Sequence, residues 1–365
     1  MQGHAVIAPS SLSRIVACPG SVSLSAAMPP VPESEEAAEG HAAHWVAMRM
    51  QQGHVVREND LTPNGLRVTP DMIEGGEMYV AAIGEPGGFC ETMVQIPRVH
   101  PVSCWGTPDW FGVDYDKPKL RVVDYKFGHV FVDVFENWQM IAYTSGVLDL
   151  LGLHDFDVHV EFVLVQPRSF HPDGPVRTWS FRADRLRALV NKAEHAAAEA
   201  LSASPSTHTG PECLYCPARA NCKTLAMATN SILDWSGDAE LIAQDAATIG
   251  VRLRMITEAR ERLKSVMTGL EEQATALIRS GSQVPNWRIG FTQPRERWTG
   301  EPEEVAAMVE LIAGKDIRKV ALPTPRQVRI MGVDASVIAP YCERPSGAAK
   351  LELDDNTLAK RIFSK

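Results

Sequence analysis

Three residues about one third of the way along the chain have the types and spacing that phosphodiester hydrolysis requires. Asp124 and Lys126 lie two positions apart in KLRVVDYK, and alternate side chains of a β-strand share a face, so both point the same way from a predicted strand. Asp109, in the preceding GTPD segment, can bring a second carboxylate to the same place. Carboxylates hold Mg²⁺, which neutralises charge on the phosphate and activates water, while a lysine orients that water.

The alternative for Asp124 and Lys126 is an ordinary ion pair, which is what an isolated Asp-x-Lys usually forms. The second carboxylate, Asp109, favours a metal-binding catalytic site over a simple ion pair. Glu91, in ETMVQIPRV, is either a further carboxylate of this site or a plain surface residue.

Three of the 7 cysteines form a second cluster, C-x2-C-x5-C, at Cys213, Cys216 and Cys222. Thiolates so close together in one loop are suited to zinc or to an iron–sulfur cluster. This loop alone supplies three ligands, so a fourth must come from elsewhere in the chain.

The elements that must position these residues indicate an α/β fold. Helical periodicity appears around residues 10–18, 35–52, 137–151, 183–202 and 238–280. Strand-like segments are ETMVQIPRV, WGTPDWFGVD, KLRVVDYKFG and DVHVEFVLVQP, with Glu91 opening the first and Asp109 on the second. We predict one domain over residues 1–234 and a mostly helical extension over 235–365. That extension contacts nucleic acid or a protein partner, or presents only a solvated helical face.

Composition sets limits on the function. With 365 residues, 45% of them hydrophobic, the chain can bury a sizeable core. The net charge of −9 excludes coating nucleic acid by bulk attraction but leaves a local basic groove open. Neither a membrane-length apolar run nor a signal-peptide pattern is present, so we expect a cytoplasmic protein without membrane contact, whose clustered cysteines bind metal. The oligomeric state is not indicated.

The order of these motifs resembles that of the PD-(D/E)XK nucleases, and among them the RecB-like branch. GTPD resembles the second motif of that family and VVDYKFG its third. The spacing of Gly40 and His44 resembles the helix motif whose histidine binds metal, with His41 as a competing candidate. Gln139 and Tyr143, which share a helix face, resemble the Q-x-x-x-Y motif. The resemblance implies a catalytic set of Asp109, Asp124, Lys126, Gln139 and Tyr143, and metal ligands His44, Asp109 and Asp124.

The cysteines resemble those of AddB-type nucleases, in which one upstream and three downstream cysteines hold a [4Fe–4S] cluster. The resemblance implies that Cys18 is the fourth ligand beside Cys213, Cys216 and Cys222, with Zn²⁺ in a Cys₄ site as the alternative. Such a cluster closes a loop of nearly the whole catalytic domain and restricts the unfolded chain.

The resemblance covers about residues 8–225, and the chain is also similar to an uncharacterised phage-encoded nuclease family. The resemblance implies a restriction-endonuclease-like core, which is a central mixed sheet flanked by helices. The function implied is an Mg²⁺- or Mn²⁺-dependent deoxyribonuclease, an exonuclease or end-processing enzyme of phage or bacterial recombination or replication. Its partners would be DNA and a phage recombination or replication protein, in the bacterial host cytoplasm. The alternative is a catalytically silent nucleic-acid-binding or assembly module that retains the fold and the cluster.

Overall fold

The computed structural model describes residues 5–29, 33–84, 87–153, 158–169, 171–237 and 246–290, together with Ala307. The chain divides into two compact units. One is Met1–Ser282 with Asp355–Lys365, and the other is Gln283–Asp354. In the second unit, Trp287 donates its backbone N–H to the Val284 carbonyl and closes a turn.

Helices account for much of the first unit. In chain order they are α1 (Leu12–Ala17), α2 (Ser21–Ala26), α3 (Glu35–Gln51), α4 (Pro70–Ile83), α5 (Trp138–Leu150), α6 (Leu186–Ala200), α7 (Lys223–Gly237) and α8 (Ala246–Arg279). Ser34, Thr69 and Asn137 begin α3, α4 and α5, because each side-chain oxygen accepts a backbone N–H of the first turn.

The strands form one five-stranded mixed sheet and one small two-stranded sheet. They are β1 (Phe89–Cys90), β2 (Val94–Gln95), β3 (Trp105–Gly106), β4 (Trp110–Asp114), β5 (Lys119–Tyr125), β6 (His159–Val165) and β7 (Val176–Arg182). The large sheet has the order β1-β4-β5-β6-β7, and β2 pairs with β3. Among the strands of the described residues, only β5 and β6 pair in parallel, and α5 provides the crossover that a parallel pair needs.

Helices cover both faces of the large sheet, and β5 shows why. Leu120 and Val122 lie in one buried cluster, with residues of α1, α5 and α6, whereas Val123 and Tyr125 lie in another, with residues of α3 and α4. Since strand side chains alternate, a strand buried on both faces supplies both cores. Asp124 is on the same face as Val122, as the alternation predicts.

A charged network ties α4 to the sheet. Arg121 Nε donates to Glu161 Oε2 at 2.6 Å, and Lys119 Nζ lies 3.0 Å from Glu161 Oε1. Arg121 Nη1 also donates to the carbonyls of Ala82 and Ile83, at 3.4 and 3.2 Å. The arginine thus satisfies carbonyls at the end of α4 that lack helical partners.

The long helix α8 packs on the turn that carries Cys213, residues 211–215, and on α7. Arg219 forms an ion pair with Glu272 of α8. A Cβ on Gly269 would lie 2.6 Å from Arg219 Cγ, so the close approach requires a glycine. Because α7 runs through residue 234, no break in the chain marks the predicted boundary there, and that division stays a prediction.

The mixed α/β architecture is confirmed, as are the helices predicted around residues 35–52 and 137–151. Part of the predicted 238–280 helix and most of the extension lie outside the described residues. Two placements were wrong. Glu91 follows β1 in a bend with φ of 45°. Pro108, which has no N–H to donate, lies where the predicted strand is interrupted between β3 and β4, and Asp109 lies one residue before β4. Within the described ranges, no helix is both long and apolar enough to cross a membrane.

Candidate functional site

Antiparallel pairing of β4 with β5 brings the two predicted aspartates together. Trp110 pairs with Val123, so Asp109, one residue earlier, reaches the carboxyl end of β5. There Asp109 Oδ2 accepts the Tyr125 backbone N–H at 2.7 Å. This hydrogen bond fixes the Asp109 carboxylate beside Asp124.

His44 reaches the same place from α3. The buried residues of α3 are small or branched (Ala42, Ala43, Val46 and Ala47), and the helix packs closely on α4. His44 Nδ1 lies 3.3 Å from Asp109 Oδ1, and its ring meets Tyr125 edge-on at 5.2 Å between centroids. The histidine is thus held by a charge on one side and an aromatic ring on the other.

Glu91 completes a possible set of cation ligands that the sequence left undecided. Its backbone N–H donates to the Asp109 carbonyl at 3.1 Å, which anchors the bend after β1 next to β4. One ligand atom each from His44, Glu91 and Asp109 lie within 4.8 Å of one another. An imidazole and two carboxylates at this spacing are a donor set for a divalent cation.

The charges at the site perturb one another. Burial lowers the pKa of His44, but attraction to Asp109 outweighs it, so the pKa is raised. Burial raises the pKa of Asp109, but His44 and Lys126 outweigh that and hold it low. For Glu91, burial and the nearby Asp109 charge raise the pKa to about 7. Asp109 therefore carries the negative charge that raises the pKa of both His44 and Glu91.

Asp124 and Lys126 form a buried pair beside this set. Lys126 Nζ lies 3.0 Å from Asp124 Oδ1 and 2.9 Å from Oδ2, and the Asp124 side chain is 3% exposed. Burial and Asp109 raise the pKa of Asp124 in spite of the lysine. Although Oδ2 is close to Nζ, its geometry gives it no hydrogen-bond partner among the described residues.

Gln139 and Tyr143 lie on one face of α5, and Gln139 Nε2 approaches the Tyr143 hydroxyl at 3.4 Å. Burial raises the pKa of Tyr143 to about 12, and the charges of Asp124, Asp109 and Lys126 also act on its hydroxyl. The structure thus brings all six residues of the predicted catalytic and metal set to one end of the sheet.

Other candidate residues lie elsewhere. His41 is 74% exposed and pairs with Glu33, so it does not share the site with His44. Arg168 binds Glu39 through both terminal nitrogens, at 2.8 and 2.9 Å. Arg177 is buried and donates to Gln166, Ser169 and the Val132 carbonyl. Protein groups thus hold the side chains of both arginines.

The four cysteines of the predicted cluster line one cavity. Cys18 comes from the end of α1, and Cys213, Cys216 and Cys222 come from the segment between α6 and α7. Cys18 Sγ accepts the His208 backbone N–H at 3.3 Å, and Cys213 Sγ accepts that of Gly210 at 3.4 Å. None of these four cysteines forms a disulfide bond.

Burial raises the pKa of the Cys18 and Cys213 thiols, and neighbouring thiols of the cluster act in the same direction. Four crowded sulfurs ionise together only if a cation compensates their charge. The cavity therefore has the chemistry of a metal site.

The fold and these two sites, a carboxylate–histidine centre and a cysteine cavity, define the chain as a mixed α/β protein with two candidate metal-binding sites. The chain belongs to the DUF2800 family, described as a protein of unknown function, whose model matches residues 4–351. The match spans both candidate sites.

Proposed function

We propose that the chain is a metal-dependent nuclease that hydrolyses phosphodiester bonds in DNA, with a PD-(D/E)XK-type site. The observation that carries the proposal is the convergence at the end of β5 of Asp124 and Lys126 with Asp109, which precedes β4, and with His44 of α3. Burial and the nearby Asp109 carboxylate raise the pKa of Asp124 even though Lys126 Nζ lies 2.9 Å from its Oδ2, so a cation at this point would offset the remaining negative charge.

Each residue has a separate task in this proposal. Asp109, Asp124 and His44 would hold the cation, with Glu91 as a further ligand. When bound, a divalent cation polarises the phosphate and lowers the pKa of water. Lys126, whose raised pKa keeps it protonated, orients the attacking water or offsets charge on the phosphate. The Tyr125 backbone N–H keeps the Asp109 carboxylate in place.

Gln139 and Tyr143 complete the site from α5. The high pKa of Tyr143 keeps its hydroxyl protonated, so it can donate a hydrogen bond to a phosphate oxygen. The amide of Gln139 can both donate and accept, which suits a contact with the nucleic-acid backbone.

The proposal includes a [4Fe–4S] cluster held by Cys18, Cys213, Cys216 and Cys222. Zinc held by the same four thiolates is the alternative. The backbone N–H groups of His208 and Gly210 donate to Cys18 Sγ and Cys213 Sγ, and such hydrogen bonds tune iron–sulfur clusters.

Incubation of anaerobically purified protein with end-labelled DNA and Mn²⁺ tests the catalytic proposal. We expect cleavage by the wild type, loss of cleavage in Lys126→Ala, and no change in Lys192→Ala, which removes an exposed lysine of α6. Single-stranded DNA, double-stranded DNA and RNA substrates then define the preference. Near-normal cleavage by Lys126→Ala would contradict the proposal, and an inactive wild type would favour the silent module.

Iron and sulfide analysis of the same preparation tests the cluster. We expect a brown protein whose broad visible absorbance is lost in Cys216→Ser and kept in Cys104→Ser, which changes a buried cysteine outside the cavity. A colourless protein with stoichiometric zinc would contradict the iron–sulfur assignment.

A further inference from the structure

Arg168 lies three residues after β6, and its side chain is 17% exposed. Its two terminal nitrogens donate to the two carboxylate oxygens of Glu39 in α3, at 2.8 and 2.9 Å. Two parallel hydrogen bonds between a guanidinium and a carboxylate fix the direction of approach as well as the distance. These hydrogen bonds also lower the pKa of Glu39, so the pair stays charged at neutral pH. A charged link of defined geometry therefore joins the turn after β6 to α3.

The same guanidinium group reaches two further parts of the fold. Its central carbon lies 3.9 Å from the centre of the Phe127 ring, a distance at which a cation is attracted to the face of an aromatic ring. Nη2 also lies 3.5 Å from Asp71 Oδ2 in the first turn of α4. Phe127 is buried and directly follows Lys126 in the chain. Arg168 thus links α3 and α4 to the segment that leaves β5 at the candidate site.

The first two turns of α3 depend on this link. Residues 35–41 include no buried side chain, and the buried residues of the helix begin at Ala42. Asn64 Nδ2 donates to the Ala38 carbonyl at 2.8 Å, but at an exposed position. His44 lies five residues after Glu39, about 7.5 Å along the axis of the same helix. A displacement of α3 at Glu39 is therefore transmitted to His44.

The place of His44 matters because the candidate cation ligands are separated by short distances. Its Nδ1 lies 3.3 Å from Asp109 Oδ1, and one ligand atom each of His44, Glu91 and Asp109 lie within 4.8 Å of one another. Ligand sets of this kind function only when their members are held within about 0.5 Å of the productive geometry. Buried residues hold α3 on the C-terminal side of Ala42, and Arg168 holds it on the N-terminal side.

We infer that Arg168 is a positioning residue, which fixes α3 through Glu39 and the segment after Lys126 through Phe127, and so sets His44 at its distance from Asp109. The inference rests on the proposed function, because it concerns the cation site of that nuclease. Arg168 is not itself a cation ligand, because a guanidinium group is positively charged. Residues that orient metal ligands from outside the ligand set typically change the metal affinity by about 10- to 100-fold when they are replaced.

Titration of the full-length protein with Mn²⁺, followed by the electron paramagnetic resonance signal of the free ion, measures the affinity without DNA. We expect Arg168→Gln and Glu39→Gln each to raise the Mn²⁺ dissociation constant about tenfold. In a His44→Ala background neither change should have much further effect, because the ligand that they position is already absent.

Arg98→Gln is the matched control for these variants. Arg98 pairs with Asp149 outside the site, through Nε at 2.9 Å and Nη2 at 2.7 Å, so its replacement also breaks an arginine–carboxylate pair. This variant should keep the wild-type Mn²⁺ dissociation constant. Thermal unfolding without Mn²⁺ shows that each variant is folded.

Three results would overturn the inference. The first is a wild type whose Mn²⁺ affinity does not change in His44→Ala. The second is an unchanged dissociation constant in both Arg168→Gln and Glu39→Gln. The third is a tenfold loss that persists in the His44→Ala background, which would show that the pair acts on the site by another route.

The failure of the nuclease proposal gives a different pattern. A chain that cleaves no DNA, but whose Mn²⁺ affinity depends on Arg168 only when His44 is present, would contradict the nuclease and support the positioning role. A chain that cleaves DNA with a Mn²⁺ affinity indifferent to Arg168 and Glu39 would support the nuclease and overturn the positioning role.

Discussion

Replacing Asp109 with asparagine should separate chemistry from folding. The Asp109 carboxylate accepts the Tyr125 N–H and faces His44. In Asp109→Asn the amide oxygen can still accept that N–H, and the amide nitrogen can donate to Nδ1 of a neutral His44. We therefore expect the free energy of unfolding without metal to change by no more than about 1 kcal/mol.

Activity should respond quite differently, because the negative charge that helps hold the cation is removed. Loss of one such electrostatic contact costs roughly 10²–10³-fold in rate. Mn²⁺ at 100 times its dissociation constant stabilises a protein by about 2.7 kcal/mol, or roughly 5–11 °C in melting temperature for a domain of this size. The wild type should show that shift, and the variant should lose most of it.

The assay pairs cleavage of end-labelled DNA with thermal unfolding at increasing Mn²⁺ concentrations. Asp149→Asn is the matched control, because Asp149 is also a partly buried, ion-paired carboxylate, held by Arg98 at 2.7 Å outside the site. It should keep both activity and the Mn²⁺ shift. The reasoning is refuted if Asp109→Asn cleaves DNA at a near-normal rate, or if its melting temperature rises with Mn²⁺ as much as that of the wild type.

Three further changes test the surrounding structure. Burial raises the pKa of Glu161, but hydrogen bonds from Lys119 and Arg121 outweigh it and hold it below its usual value. The Glu161 charge therefore stabilises the fold above the unfolded pKa near 4.3. Glu161→Gln should lower the free energy of unfolding by about 1–2 kcal/mol at pH 7, and by progressively less below about pH 4. A loss of stability in denaturant unfolding that does not depend on pH would contradict this. Gly106→Ala should lower both the melting temperature and the cleavage rate, because the added Cβ would lie 2.8 Å from Tyr143 Cε1. An unchanged melting temperature would argue against this contact. Arg177→Met should lower the free energy of unfolding by about 3 kcal/mol, by leaving buried acceptors unsatisfied, without changing DNA affinity in a filter-binding assay. A selective loss of DNA affinity would instead indicate that Arg177 contacts phosphate.

Local patterns predicted the parts of the site that lie on regular elements. The two-residue spacing of Asp124 and Lys126 required only strand alternation, and the four-residue spacing of Gln139 and Tyr143 required only a helix. The role of Glu91 could not be predicted in the same way. Its place beside His44 depends on a bend with φ of 45°, a conformation that few residues other than glycine adopt and that no pattern in the sequence marks.

Helix α4 was not predicted although the sequence carries its start signal, a Thr69 cap followed by Pro70. Gly75 and Gly76 in its middle lower the intrinsic helix propensity, and packing of α4 on α3 compensates. The grouping of Cys18 with the later cysteines depends on α1 packing on α6. A contact between such distant segments leaves no trace in the spacing, so it was expected by resemblance alone.

The separation of the cysteines also sets an order of events during synthesis. Cys18 leaves the ribosome first, and Cys222 follows only after the strands and helices that carry the catalytic residues have been made. At elongation rates of 5–20 residues per second, the first thiol is without its partners for roughly 10–40 s. During that time it is a lone thiol on a growing chain, and the four-sulfur cavity first exists when every residue of the carboxylate–histidine centre is already in place.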